Sequence, residues 1–140
     1  MTDSDLSSPV DKLKKIVSCE DLCNVYEEFL VKHYAWENFG FWYEVEAFRK
    51  LESPEEIKEQ AKLIFYRFLT VDSVFELGDL EPSVREIIAK RLDAPTPNLF
   101  DRLQCRVLKS LAQATICEFL TDDLYKDFLT IHRMDKFFIT

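Results

Sequence analysis

Apolar residues recur at helical spacing along most of the chain, in blocks separated by short polar segments. Leu22, Val25, Tyr26, Phe29 and Leu30 fall on one face of a helix, and Phe41, Trp42, Val45 and Phe48 repeat the pattern. Ile57, Ala61, Ile64 and Phe68 form a third inward face, and Val84, Ile87, Ile88 and Leu92 a fourth. Leu99, Leu103, Val107, Leu111, Ala114, Cys117 and Leu120 then continue at helical spacing for about six turns. Leu124, Phe128 and Ile131 mark a last helix. The pattern predicts an all-α domain, a single bundle of short helices.

Start and stop signals divide these blocks. Residues 1–8 are polar and predicted to be a disordered tail, with the domain covering 9–140. Pro9 suits the first turn of a short helix to Ile16, and Ser18 suits a cap for the second, with Asp21 at the capping-box position. Glu37-Asn38 opens the third helix, where Gly40 costs about 1 kcal/mol relative to alanine. Ser53-Pro54-Glu55-Glu56 is the clearest start, with an N-cap serine, a first-position proline and an N3 glutamate. It launches a helix through IKEQAKLIFYRFL. A longer loop, VDSVFELGDLEP, follows, and Ser83 is placed to cap the next helix. The prolines in Asp93–Asn98 forbid continuous helix there, and Asp122 restarts the chain as a final helix.

Composition narrows the function. With only 2 glycines and 12 phenylalanines in 140 residues, tight hairpins are disfavoured and large rings plug the spaces between helices. A net charge of −8 disfavours nucleic acid and an autonomous grip on anionic membrane, and suits a partner presenting lysines and arginines. No apolar run is long enough to span a membrane, and the start is acidic, so the chain is expected to be cytoplasmic, without direct membrane insertion. Cys19, Cys23, Cys105 and Cys117 lack CxxC spacing and are expected to be structural thiols, with no metal. There is no Gly-rich phosphate loop, and neither His33 nor His132 sits in a nucleophile motif. No cofactor and no catalytic residue is expected. A protein-binding module is the class that remains.

The segment Phe29-Leu30, then Tyr34-Ala35-Trp36-Glu37-Asn38-Phe39-Gly40-Phe41-Trp42, resembles the regulator of G-protein signalling (RGS) family, in which a tyrosine precedes an E-N-x-x-F-W motif. The likeness continues through Glu44–Phe48, Ser53, Ile64-Phe65, Glu76, Arg85, Pro95-Thr96-Pro97, Leu99-Phe100-Asp101, Gln104 and Asp123–Leu129. The resemblance implies an all-helical fold that docks on the switch regions of a heterotrimeric G-protein α subunit (Gα) in its GTP or transition-state form. It implies accelerated GTP hydrolysis without an inserted arginine, because Gα carries one in cis. The alternative is an RGS-homology interaction or scaffold domain with little activation. A monomer is expected, open to being one part of a larger protein and to recruitment to the inner face of the plasma membrane.

By residue match, the Gα contacts would be His33, Trp36, Glu37, Asn38, Glu76, Gly78, Phe119, Asp123, Leu124 and Asp127. Glu37 and Asn38 also read as an ordinary helix start, and Asp123 as a capping or exposed acid. His33 stands where many members have glutamate, Gly78 where asparagine or serine is usual, Leu124 replaces a serine and Asp127 an arginine. Glycine at 78 also suits a backbone that needs positive φ. Between Phe100-Asp101 and Asp123 the chain is about nine residues longer than most members, close to two and a half turns, so a bend or break is expected there. The extra length leaves either Phe119 or Ser110 at the leucine-like contact position.

Overall fold

Residues 8–34, 36–78 and 80–132 are described by a computed structural model, and their backbone forms seven α-helices and one π-helical turn, with no strand. The all-α expectation is met. The chain divides into two compact units, Met1–Trp36 with Leu108–Thr140, and Glu37–Val107.

The first unit holds α1 (Pro9–Val17), α2 (Glu20–His33), the later part of α6 (Asp101–Thr121) and α7 (Asp123–Ile131). Leu13, Ile16, Leu22, Tyr26, Phe29, Leu30, Ile116, Phe119, Tyr125 and Phe128 are buried. The Phe119 ring lies 5.2 Å from Tyr26, 5.2 Å from Phe29 and 5.3 Å from Tyr125, so it ties α6 to both α2 and α7. Tyr26 Oη and Thr115 Oγ1 share a hydrogen bond of 2.7 Å, and Thr115 also donates to the Leu111 carbonyl, so both buried hydroxyls are satisfied.

The second unit holds α3 (Glu37–Phe48), α4 (Pro54–Ile64), the π turn (Phe65–Leu69), α5 (Pro82–Lys90) and the start of α6. Phe41 meets Phe68 and Phe100 edge to face at 5.7 and 5.9 Å, and Phe48 meets Phe100 at 5.3 Å. One polar side chain is buried among them. Gln104 donates to the Trp42 carbonyl (3.1 Å) and Glu46 (2.9 Å) and accepts from Arg49 (3.3 Å), which keeps its burial from being costly. Arg49 in turn lies 3.4 Å from Asp101 at the first turn of α6.

Several local expectations are corrected. Ser8, assigned to the tail, caps α1 by accepting from the Asp11 amide, while residues 1–7 lie outside the described residues. Ser18 does not cap α2, because its backbone is still helical and its hydroxyl donates to the Lys15 carbonyl; Cys19 holds the cap position with no side-chain bond. Ser83 sits inside α5, because Pro82 takes the first helical position. Ser53 and Asp122 cap as expected, accepting from Glu56 at 3.4 Å and from Leu124 at 2.9 Å. Ile87, read as inward, is 60% exposed, and at the end of α7, where Ile131 or a neighbour was expected inward, Ile131 is 75% exposed.

Helix α6 runs as one element from Asp101 to Thr121, so no break accommodates its length. Its buried positions are Leu103-Gln104, Val107-Leu108, Leu111-Ala112, Thr115-Ile116 and Phe119, while Ala114 and Cys117 are exposed. A four-residue repeat advances about 40° per step on a helix with 3.6 residues per turn. The buried edge therefore winds around α6 without any break.

Candidate functional site

The sequence-derived candidates fall into two sets, one in each unit. In the second unit, Glu37 and Asn38 form the first turn of α3, both half-exposed. An acid there is favoured by the positive end of the helix dipole. The Asn38 side chain makes no hydrogen bond to a described residue, so among those residues it does not act as a cap.

Glu76 and Gly78 lie on the loop from Thr70 to Glu81, which is more ordered than a stretch without regular structure suggests. Leu77 donates its amide to the Phe68 carbonyl at 2.9 Å, and Ser73 Oγ donates to the Arg67 carbonyl at 2.9 Å. Asp72 has a positive φ of 65°, a conformation an aspartate tolerates better than most residues. Its amide donates to Glu76 Oε1 at 3.0 Å. The second oxygen, Oε2, receives Arg85 Nη2 at 3.0 Å, and Arg85 Nε donates to the Leu69 carbonyl. Glu76 is thus half-buried with both carboxylate oxygens engaged inside its own unit. Gly78 is exposed, and a Cβ built on it would meet nothing within 4 Å. Neither described glycine has a positive φ, which corrects the conformational reason given for glycine at 78.

Beside this loop, Leu63, Tyr66, Arg67, Ser73, Val74 and Phe75 line a shallow groove of about 370 Å³. Val74 is 90% exposed at its edge, and Arg67 is held by an ion pair to Glu44. Nothing in the apolar periodicity marked this groove, because its residues come from a helix flank and an aperiodic loop.

In the first unit, His33 Nε2 lies 3.5 Å from Asp122 Oδ1, and the other oxygen of that carboxylate caps α7 through the Leu124 amide. Asp122 therefore joins the end of α2 to the start of α7. Tyr34 donates to Glu118 on α6, a bond that raises the Tyr34 phenol above its ordinary value because the proton is shared with a carboxylate. Trp36 is half-buried, its Nε1 donating to Glu27 at 2.9 Å. Asp123 and Asp127 are exposed four residues apart on one face of α7, with Leu124 half-buried between them. Like charges at that spacing cost a few tenths of a kcal/mol, and neither pairs with a cation among the described residues.

Phe119 does not join this set. It is 0% exposed, and a ring enclosed by Tyr26, Phe29 and Tyr125 cannot line a docking surface. Ser110, the other candidate for that position, is exposed. Sequence reading named Asp122, Tyr34 and Arg85 but not the side chains they hold. Their partners lie at Asp122–His33, Tyr34–Glu118 and Arg85–Glu76, separations that no local pattern encodes.

The four cysteines are free, and no group of three His, Cys, Asp or Glu among the described residues is arranged to hold a metal. Burial, with help from Glu27, pushes the Cys23 thiol up to about 11, which leaves it protonated and unreactive at neutral pH. No helix among the described residues is long and apolar enough to cross a membrane.

Comparison with known proteins agrees with the motif pattern. The family model "Regulator of G protein signaling domain" matches residues 12–128. Regulator of G-protein signaling 18 of Homo sapiens is 30% identical over 119 residues, 85% of this chain and 50% of its own length. Regulator of G-protein signaling 5 of Bos taurus is 28% identical over 119 residues, 85% of this chain and 65% of its own length. Regulator of G-protein signaling rgs-1 of Caenorhabditis elegans is 31% identical over 104 residues, 74% of this chain and 51% of its own length. The chain thus spans between half and two thirds of these relatives. With its all-α fold, the E-N-x-x-F-W segment and a family match over residues 12–128, the chain belongs to the regulator of G-protein signalling family.

Proposed function

We propose that this domain binds the switch regions of a heterotrimeric Gα and accelerates its GTP hydrolysis, acting as a partner's activator with no active site of its own. The observation that carries this reading is the family match over residues 12–128, which takes in every candidate contact position from His33 to Asp127. The exposed or half-exposed Glu37, Asn38, Gly78, Asp123 and Asp127 support it, because they leave polar or backbone groups open to a partner. Catalysis then follows from differential binding: contacts that favour the switches in their transition-state arrangement lower the barrier, about tenfold in rate for each 1.36 kcal/mol. The chemistry stays with the Gα arginine and the glutamine that orients water.

Binding is expected to be tighter to Gα carrying GDP and aluminium fluoride, which mimics the transferring phosphoryl group, than to Gα carrying GDP alone. A single-turnover hydrolysis assay over a panel of Gα subunits completes the test. Equal affinity for the two states across the panel would reject activation and leave the second reading, an interaction domain without catalytic effect. That reading is favoured by Gly78, which offers no side chain to the switches, and by Asp127, which repels Asp123 where an arginine would brace it.

Asn38→Ala should weaken binding of transition-state Gα by about 1–3 kcal/mol, with unchanged helicity by circular dichroism. An unfolded variant would instead assign Asn38 to the structure of α3. Gly78→Asn should raise stimulation of hydrolysis several-fold, since a side-chain amide gains reach to the switches and the open space around Gly78 accepts it without strain. A folded Gly78→Asn protein with unchanged or lower stimulation would mean that the loop engages Gα by another route.

A further inference from the structure

We propose that Arg85 is a positioning residue for Gα engagement, and that Glu76 acts by bracing its loop rather than by touching the partner; this rests on the docking role proposed above. One guanidinium holds both ends of the loop that leads to Gly78. Its Nε donates to the Leu69 carbonyl, where the π turn ends, and its Nη2 reaches Glu76 at 3.0 Å. Glu76 passes the restraint on, because its other oxygen accepts the amide of Asp72, the described non-glycine residue with positive φ.

Three features make this a brace and not a surface ion pair. The Arg85 side chain is only 20% exposed and that of Glu76 31%, so solvent screens the pair less than an open one. Arginine presents several donors in a fixed fork, which lets a single side chain serve two acceptors that lie seven residues apart in sequence, Leu69 and Glu76. Both oxygens of Glu76 are also engaged within its own unit, which fixes the orientation of the carboxylate and ties it to the loop. Gly78, two positions further on, inherits its placement from this arrangement.

The test is a double-mutant cycle with Arg85→Gln, Glu76→Gln and the two combined, with Arg85→Lys as the conservative variant. Two readouts are used: backbone amide exchange, and affinity for Gα carrying GDP and aluminium fluoride. Arg85→Gln should speed exchange at Asp72 and Leu77 about tenfold or more, with α3 amides such as Val45 unchanged, because the loss is local. Each single variant should weaken Gα binding about tenfold, and the combined variant no more than about twofold further, the signature of residues acting through each other. Arg85→Lys should recover part of the loss, since it keeps the charge but reaches only one acceptor.

Losses that multiply to about a hundredfold in the combined variant would overturn the proposal, because Glu76 would then touch the partner directly. Unchanged exchange at Asp72 and Leu77 in Arg85→Gln would overturn the brace whatever the binding result. If exchange quickens but the wild-type domain binds no Gα in the panel, the docking role falls, for Arg85 as for the domain, while the loop tie itself stands.

Discussion

Phe119→Ala is expected to lower the unfolding free energy by about 3–5 kcal/mol, the usual range for removing a buried ring. The ring is fully buried, with Tyr26, Phe29 and Tyr125 all between 5 and 5.5 Å from its centre, and they belong to two other helices. Its loss leaves a cavity that no single helix can close by shifting. Because a domain of this size has about 5–15 kcal/mol in total, the variant should unfold at far lower denaturant. Any loss of Gα binding should then track the unfolded fraction and vanish under stabilising conditions. Ser110→Ala, at an exposed position on the same helix, should change stability by no more than about 0.5 kcal/mol. Chemical denaturation of both variants decides the matter: a loss below about 1 kcal/mol for Phe119→Ala would return the ring to the surface.

The domain should also lose stability in mild alkali, well before general denaturation. Burial raises the Cys23 thiol from its ordinary 9.0 to about 11, with Glu27 and Cys19 adding to the shift. Burial likewise raises the Tyr26 phenol well above its ordinary value, against a lowering contribution from the Thr115 hydrogen bond. Both groups are acids whose folded values lie above their unfolded ones. Below pH 9 both are protonated in either state and their contribution is fully present. Above it the unfolded thiol sheds its proton first, so the unfolded state binds fewer protons and stability falls until the folded value is passed. Cys23 alone should remove roughly 2–3 kcal/mol between pH 9 and 11, and Tyr26 extends the loss higher. The thermal midpoint should drop by roughly 10 °C over that interval in the presence of reductant. Cys23→Ala should flatten the first part of the slope; an unchanged slope would show that other groups govern it.

Much of the fold was legible in the sequence, and the failures share a physical reason. Ser53-Pro54 and Asp122 were read correctly because a cap is local chemistry, a side-chain oxygen meeting an amide two or three residues on. Ser18 and Ser83 carried the same signal and lost, one to the unfinished turn of α1 and the other to the proline beside it. The phase of α6 was misread beyond Leu111 because Ala112, Ala114, Thr115 and Cys117 are all small, and only the neighbouring aromatic rings decide which of them face inward. The candidate site was legible as motif and not as architecture. Glu37, Asn38, Gly78 and Asp123 emerged at the surface, but whether an acidic side chain faces a partner or its own loop depends on contacts such as Arg85–Glu76 that spacing does not encode.

The π turn at Phe65–Leu69 bears on how this chain should be aligned with its relatives. A wider turn holds one residue more than an α-helix of the same rise, so the stretch can carry an extra residue without moving its ends. Deleting one residue there would restore regular helix while leaving the residues on either side in phase. A relative whose helix is regular across this stretch should therefore be one residue shorter, and the gap belongs between Phe65 and Leu69. Placed beyond Gly78, the same gap would shift the column containing Gly78 by one and pair it with the wrong neighbour.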